Sequence, residues 1–224
     1  SEIVKQIYKV TDRAGRKLAL KYDQTVPLSR LYAANPQLGR PFKRYQIDRA
    51  WRDEFGTRDR EFWQCDVDTL GSTSILADFE FLEIYKEIFK KFDLEVIIKL
   101  NNRKLLNGIL SQVGIGEEDR SGAILSLDKL EKIGHDEVMK DAEGRGIPKN
   151  QLDAVFQILG SAQSDNNEER LERIASNIDN DEGKEGAEEL RHILNYASAS
   201  GIDNLIFIPT LARGIPNLAL SDAI

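Results

Sequence analysis

The residues with types and spacing suited to chemistry lie in Pro41–Gly71, PFKRYQIDRAWRDEFGTRDREFWQCDVDTLG. Read with a period of two, Phe42–Glu54 carries Arg44, Gln46, Asp48, Arg52 and Glu54 on one face. Tyr45, Ile47 and Trp51 fall on the other face. In Glu61–Leu70 the polar-side row is Phe62, Gln64, Asp66 and Asp68, opposite Trp63, Cys65 and Val67. The polar hexapeptide Phe55–Arg60 between them predicts an antiparallel hairpin with its apolar face on a core. A solvated outer face would also be polar, because antiparallel sheets often face water on one side. A site is favoured by the absence of Lys, Ser and Thr from the row and by Arg52 beside acids and an amide. It is favoured too by Phe62, an aromatic whose burial on that side needs a ligand or a lid. A guanidinium fork matches phosphate bidentately. Gln64, Asp66 and Asp68 suit an ammonium or other donor.

The flanking elements must hold this hairpin in place. Residues 1–22 read as strand-rich, Ile3–Val10 and Lys17–Tyr22, joined by a turn at Asp12–Gly15. A helix is expected from Thr25, as its cap, to about Ala34, with Pro27 in the first turn. After the hairpin, Ser72–Ser74 offers a cap for a helix over Ile75–Phe92. Its stripe of Phe81, Tyr85, Ile88, Phe89 and Phe92 has helical spacing and is expected in the core. Leu94–Leu100 reads as a strand in the hairpin's sheet, and Asn101-Asn102 opens a helix ending near Gly114. From there strands vanish. Acidic amphipathic helices are expected over Leu127–Glu143, Gln151–Leu159, Glu168–Ile178 and Lys184–Ala199. Asn204–Pro209 reads as a buried strand that delivers Leu211-Ala212-Arg213-Gly214.

These elements give an α+β class: a mostly antiparallel sheet flanked by helices. Residues 1–115 and 201–224 are expected to form one discontinuous domain, with an all-helical insertion at 116–200. The length of 224 residues allows one large domain or two small ones. A net charge of −7 argues against a generally basic nucleic-acid surface, though not against a local contact with an RNA end. His135 and His192 are far apart in sequence, so no histidine-based metal or triad site is expected. Cys65, the single cysteine, is expected as a core residue and fits a reducing, cytoplasmic compartment. No apolar run suggests a membrane segment.

The run FKRYQIDRAWRDE, followed by REFWQCDVDTLG, resembles motif 2 of the class II aminoacyl-tRNA synthetases. With LKYDQTVPLSR at Leu20–Arg30 and LARG at Leu211–Gly214, the chain is most similar to histidyl-tRNA synthetases of the archaeal and eukaryotic kind. The resemblance is strong in residues 1–100 and 204–214. It implies a ligase that activates histidine with ATP, accompanied by Mg²⁺, and transfers it to tRNA(His). It also implies a homodimer. By resemblance, Arg52 grips the α-phosphate and Arg213 opposes it, although a strand-end arginine before glycine also suits a simple turn. Arg58 reaches the γ-phosphate, Phe62 stacks on adenine and Glu54 holds its exocyclic amine. Asp23, Thr25, Gln64 and Asp68 hold the amino acid. The helical insertion would lean over the acceptor stem of the tRNA, or serve as a lid or spacer without RNA contact.

The chain departs from the family after LARG. The family continues Leu-Asp-Tyr-Tyr-Thr-Gly, residues that line the imidazole pocket, where this chain has Ile215-Pro216-Asn217-Leu218. The run IPNLALSDAI resembles the approach to motif 3, so a block is expected to be missing between Gly214 and Ile215. The motif 1 helix, the motif 3 arginine and an anticodon-binding domain are also expected to be missing, leaving a truncated catalytic core. A trimmed catalytic fragment that folds but is inactive is one alternative to an active ligase, and two further readings remain open. One is a paralogue acting as regulatory subunit of the ATP phosphoribosyltransferase of histidine biosynthesis. The other is a synthetase for a different amino acid, which the LARG and LKYDQTVP segments disfavour.

Overall fold

The structure is a computed structural model that describes residues 2–53 and 59–212. The chain forms two compact units, residues 1–73 and 74–224.

The first unit begins with a short helix α1, Glu2–Lys5, followed by strands β1, Lys9–Thr11, and β2, Lys17–Ala19. The two strands pair antiparallel with Val10 opposite Leu18. The expected hairpin is therefore present, but the strand predicted from Ile3 starts only at Lys9, and α1 precedes it. The Asp12 carboxylate organises the turn by accepting from the N–H groups of Ala14 and Arg16, each at 2.9 Å. Helix α2, Thr25–Ala34, follows as predicted, with Pro27 in its first turn. Thr25 is its first residue and not its cap: Gln24 stands at the N-cap position without a side-chain cap bond, and Asp23 Oδ1, one residue earlier, accepts from Val26 N–H at 3.0 Å.

Strands β3, Phe42–Trp51, and β4, Glu61–Leu70, form the expected antiparallel hairpin. Their register sets Arg44 opposite Asp68, Gln46 opposite Asp66, Asp48 opposite Gln64 and Ala50 opposite Phe62. The predicted orientation is reversed. Tyr45 is 77% exposed, Ile47 60% and Trp63 65%, and Cys65 is exposed as well. The polar row is the half-buried side, and Ala50 on that row is fully buried. Strand parity separates two faces but does not say which one is covered. Here Lys21, Tyr22 and Gln24 lie against the polar row.

The second unit holds α3 (Ile75–Lys91), β5 (Ile98–Leu100), α4 (Arg103–Gln112), α5 (Glu117–Leu127) and α6 (Leu130–Ile133). It continues with α7 (His135–Glu143), α8 (Lys149–Gly160), α9 (Asn167–Ala175), α10 (Asp181–Ala199) and β6 (Leu205–Phe207). Side chains cap helix starts as the sequence suggests: Ser74 accepts from Leu76 N–H at 3.3 Å, and Asn102 from Lys104 N–H at 2.8 Å. Helix α3 buries Phe79 and Leu82, whereas Tyr85 and Phe92 of the expected stripe stay exposed. Helix α5 adds to the helices expected from sequence, and Glu117, Glu118 and Asp119 after Gly116 are its first-turn signal. The helix predicted over Leu127–Glu143 breaks at Gly134, whose φ of 78° an L-residue adopts only with strain.

Strand β5 does not join the β3–β4 sheet. It pairs parallel with β6, Ile98 opposite Leu205 and Leu100 opposite Phe207. The outer edge of β6 is completed by side chains of α9. Asn167 donates to Leu205 O at 2.8 Å and accepts from Phe207 N–H at 2.9 Å, while Arg170 donates to Phe207 O at 2.5 Å. Beyond β6, buried Asn101 donates to Pro209 O at 3.1 Å and Leu211 O at 2.7 Å, pinning the segment that leads into LARG. One continuous core runs through this unit, from Phe79 and Leu82 through Leu105, Ile109, Leu127, Val155 and Ile174 to Leu190 and Phe207. The helices of 116–200 thus share their core with α3, α4 and β6.

The packing of α4 on α10 depends on glycine. A Cβ at Gly186 would sit 2.2 Å from Leu105 N, and one at Gly108 would sit 2.3 Å from Gly183 Cα. Gly160, at the end of α8, faces open space. Gly186→Ala should therefore lose about 1–3 kcal/mol of stability through overpacking, read from a urea titration. Gly160→Ala should gain up to about 1 kcal/mol by restricting the unfolded chain. Equal effects of the two substitutions would contradict the close crossing.

Candidate functional site

The polar face of β3–β4 is built around the Arg44 guanidinium. Its Nε donates to Asp68 Oδ2 at 3.0 Å across the ladder, and its Nη1 donates to Gln46 Oε1. Its Nη2 donates to the backbone carbonyl of Gln24 at 2.8 Å. The Arg44 and Asp68 side chains are only 16% and 13% exposed, so this pair is largely withdrawn from water. The contact to Gln24 O ties the start of α2 to the hairpin. Asp23 and Thr25 flank Gln24, so one arginine links the candidate residues at the start of α2 to the hairpin.

Farther along β3, Gln46 Nε2 donates to Asp48 Oδ2 at 3.4 Å. Lys21 donates to the same Asp48 oxygen at 2.5 Å and holds that carboxyl below its ordinary value. On β4, Gln64 Nε2 donates to Asp66 Oδ1 at 3.0 Å and Oδ2 at 3.1 Å. Burial pushes the Asp66 carboxyl up, and the charges of Asp68 and Asp23 push it the same way. The Gln64 hydrogen bond and the Arg44 charge oppose that rise.

Arg52 lies at the far end of the face. Its guanidinium carbon is 4.7 Å from the Tyr22 ring centroid and 5.0 Å from that of Phe62. Its Nε donates to Tyr22 O at 3.4 Å. Ala50, opposite Phe62 and fully buried, leaves room for these rings. Arg52 N–H donates to Arg60 O at 3.0 Å, which closes the base of the hairpin loop.

Of the residues expected at the site, Arg52, Phe62, Gln64 and Asp68 are all on this face. Asp23 and Thr25 are linked to it through Gln24. Glu54, Arg58 and Arg213 lie outside the described residues. Further contributors carry no role in the sequence-based assignment. Parity alone puts Arg44, Gln46 and Asp48 on the face, but Tyr22 under Arg52 carries no sequence signal. Gln24 is fully buried, and neither its Nε2 nor its Oε1 has a hydrogen-bond partner among the described residues. Gln64 Oε1 is buried and equally without a partner among them. The arrangement offers a stacked cation for phosphate at one end and an acid-and-amide cluster for an ammonium at the other.

The chain matches known proteins over nearly all of its length. The family model for histidyl-tRNA synthetase matches residues 1–216. The chain is 43% identical over 218 residues to a histidine–tRNA ligase 1 of Bacillus cereus, covering 96% of this chain and 50% of that protein. It is 39% identical to histidine–tRNA ligase 2 of Shouchella clausii, covering 96% of this chain and 51% of that protein. The chain thus spans about half the length of the curated relatives it matches. Among solved structures, histidyl-tRNA synthetase from Nostoc sp. PCC 7120 aligns with a TM-score of 0.80 at 29% identity, over 95% of this chain and 52% of that one. An ATP phosphoribosyltransferase regulatory subunit/histidyl-tRNA synthetase from Bacillus halodurans shares the fold at a TM-score of 0.79 and 18% identity, over 97% of this chain and 56% of that one.

The Arg44–Asp68 pair yields a direct test. Arg44→Met leaves a buried carboxylate without its cation and should cost about 3–5 kcal/mol in a denaturant titration. Adding Asp68→Leu to it should recover most of that loss. A single variant as stable as the parent would contradict the central place given to Arg44.

Proposed function

Since the chain belongs to the histidyl-tRNA synthetase family, we propose that it is the part of a histidine–tRNA ligase that joins histidine to ATP. The observation that carries the reading is Arg52, held between Tyr22 and Phe62 on the face that also bears Gln64 and Asp68. A phosphate-binding cation and an ammonium-binding cluster then sit along one hairpin, as an aminoacyl-adenylate requires.

In this reading the histidine carboxylate attacks the α-phosphorus of ATP, which enters with Mg²⁺ as its counter-ion. A bond forms between carboxylate oxygen and phosphorus. The bond to the β-phosphate bridging oxygen breaks, and pyrophosphate leaves with the electron pair. The step calls for positioning and for neutralising charge on the phosphoryl oxygens, with no nucleophilic side chain. Arg52 supplies that charge on one side and Arg213 on the other. Arg58 takes the γ-phosphate, Phe62 stacks on adenine and Glu54 accepts from its amine. Asp23, Thr25, Gln64 and Asp68 hold the amino acid. The terminal ribose hydroxyl of tRNA(His) then attacks the carbonyl carbon, and AMP leaves. The helices of 116–200 are the segment proposed to approach the acceptor stem as an insertion. A homodimer acting in the cytoplasm belongs to the same reading.

A regulatory subunit of ATP phosphoribosyltransferase is the second reading. It is favoured by the fold shared with the Bacillus halodurans chain and with the ATP phosphoribosyl transferase (HisG:HisZ) complex from Thermotoga maritima, at a TM-score of 0.68 and 17% identity. The 43% identity to a histidine–tRNA ligase weighs against it.

ATP–pyrophosphate exchange separates the two. The ligase reading expects exchange with histidine and with no other amino acid. Arg52→Ala should slow it about 10²-fold or more, the scale of losing a charge-stabilising donor. ATP binding without exchange for any amino acid would overturn the reading of this chain as an active ligase, in favour of a disabled catalytic fragment or the regulatory subunit.

A further inference from the structure

An amide side chain presents a donor at one end and an acceptor at the other, and its orientation is set by its neighbours. Both glutamines on the polar face have that choice made by a charged group. Arg44 can only donate, so Gln46 must turn Oε1 toward it, leaving Nε2 for Asp48. An ionised carboxylate can only accept, so Asp66 draws Gln64 Nε2 onto both of its oxygens, at 3.0 and 3.1 Å. Gln64 Oε1 is left pointing away from Asp66, buried and without a partner among the described residues. A buried acceptor left unpaired is destabilising, and a donor from a ligand would relieve it.

We propose that Asp66 is a positioning residue: by holding Gln64 Nε2 it commits Gln64 Oε1 as an acceptor for the α-ammonium of the amino-acid substrate. The proposal rests on the reading of this face as the histidine site and adds a residue to it. Residues 64 and 66 are on the same face of β4, one pleat apart, so the contact is built into the strand and not into a loop. Asp66 itself faces Gln46 across the ladder, with Asp68, Asp23 and Arg44 as the charges that act on it. Turned the other way, Gln64 would offer N–H groups to an ammonium, which has nothing to accept them. Asp66 therefore biases the site toward a cationic amino group and against a neutral or anionic substituent at that position.

The test compares Asp66→Ala and Asp66→Asn with the parent chain by equilibrium binding of histidine, of its des-amino analogue imidazolepropionate, and of ATP. Asp66→Ala should weaken histidine about tenfold, the scale of one hydrogen bond to a charged group. It should leave imidazolepropionate and ATP within about twofold of the parent. Asp66→Asn, whose Oδ1 still accepts from Gln64, should stay within about threefold for histidine. Unchanged histidine affinity in Asp66→Ala, or equal losses for all three ligands, would overturn the proposal. Should the parent bind no histidine, the functional reading fails separately. The positioning contact is then judged from the Gln64 side-chain amide signals in a ¹⁵N correlation spectrum. They should move in Asp66→Ala and hold in Asp66→Asn, and signals indifferent to both substitutions would overturn it.

Discussion

The arrangement of the polar face depends on the Arg44–Asp68 ion pair. A charge pair this far out of water is stable only when its remaining hydrogen-bonding capacity is also satisfied. Arg44 meets that demand by directing its other donors to Gln46 and to the carbonyl of Gln24. The same three contacts fix the spacing of β3 and β4, the orientation of Gln46 and the approach of α2. A lysine could not hold three acceptors in a planar fork. The requirement to satisfy a buried charge thus also assembles the residues suited to substrate.

Charges set directionality along the rest of the face. Lys21 and Asp48 extend the network from Gln46, and Asp66 orients Gln64. Fixed dipoles of this kind need no rearrangement when a ligand arrives, which is the condition under which electrostatic groups are most effective in catalysis. The Asp66 carboxyl, raised by burial and by neighbouring acids, is a group that an incoming cation would relieve.

Much of this was legible in the sequence, for reasons specific to each element. The period of two across Phe42–Trp51 and Glu61–Leu70 fixed the membership of both rows, because side chains alternate strictly along a strand. It did not fix which row is covered. The rule that apolar residues turn inward placed Tyr45, Ile47, Trp63 and Cys65 in a core, yet all four are exposed. What lies against the polar row comes from Lys21, Tyr22 and Gln24, and contacts that distant leave no mark on local spacing. Helix α3 posed a similar ambiguity: two apolar stripes overlap in its sequence, and tertiary packing selected Phe79 and Leu82. Short segments were the least legible. Residues 2–5 gave no period long enough to tell a helix from a strand, and β5 carries only three ladder residues of the seven the sequence suggested in Leu94–Leu100. Asn102 and Ser74, by contrast, cap their helices through contacts within a few residues, which local sequence does reveal.

Histidine and ATP are expected to meet on the polar face of β3–β4. The most direct measurement is a crystal structure of the protein with a non-hydrolysable histidyl-adenylate analogue. The phosphate mimic is expected against Arg52, adenine on Phe62 and the ammonium at Gln64 and Asp68. An analogue bound on the Tyr45 and Trp63 face, or bound with its ammonium remote from Gln64, would contradict it.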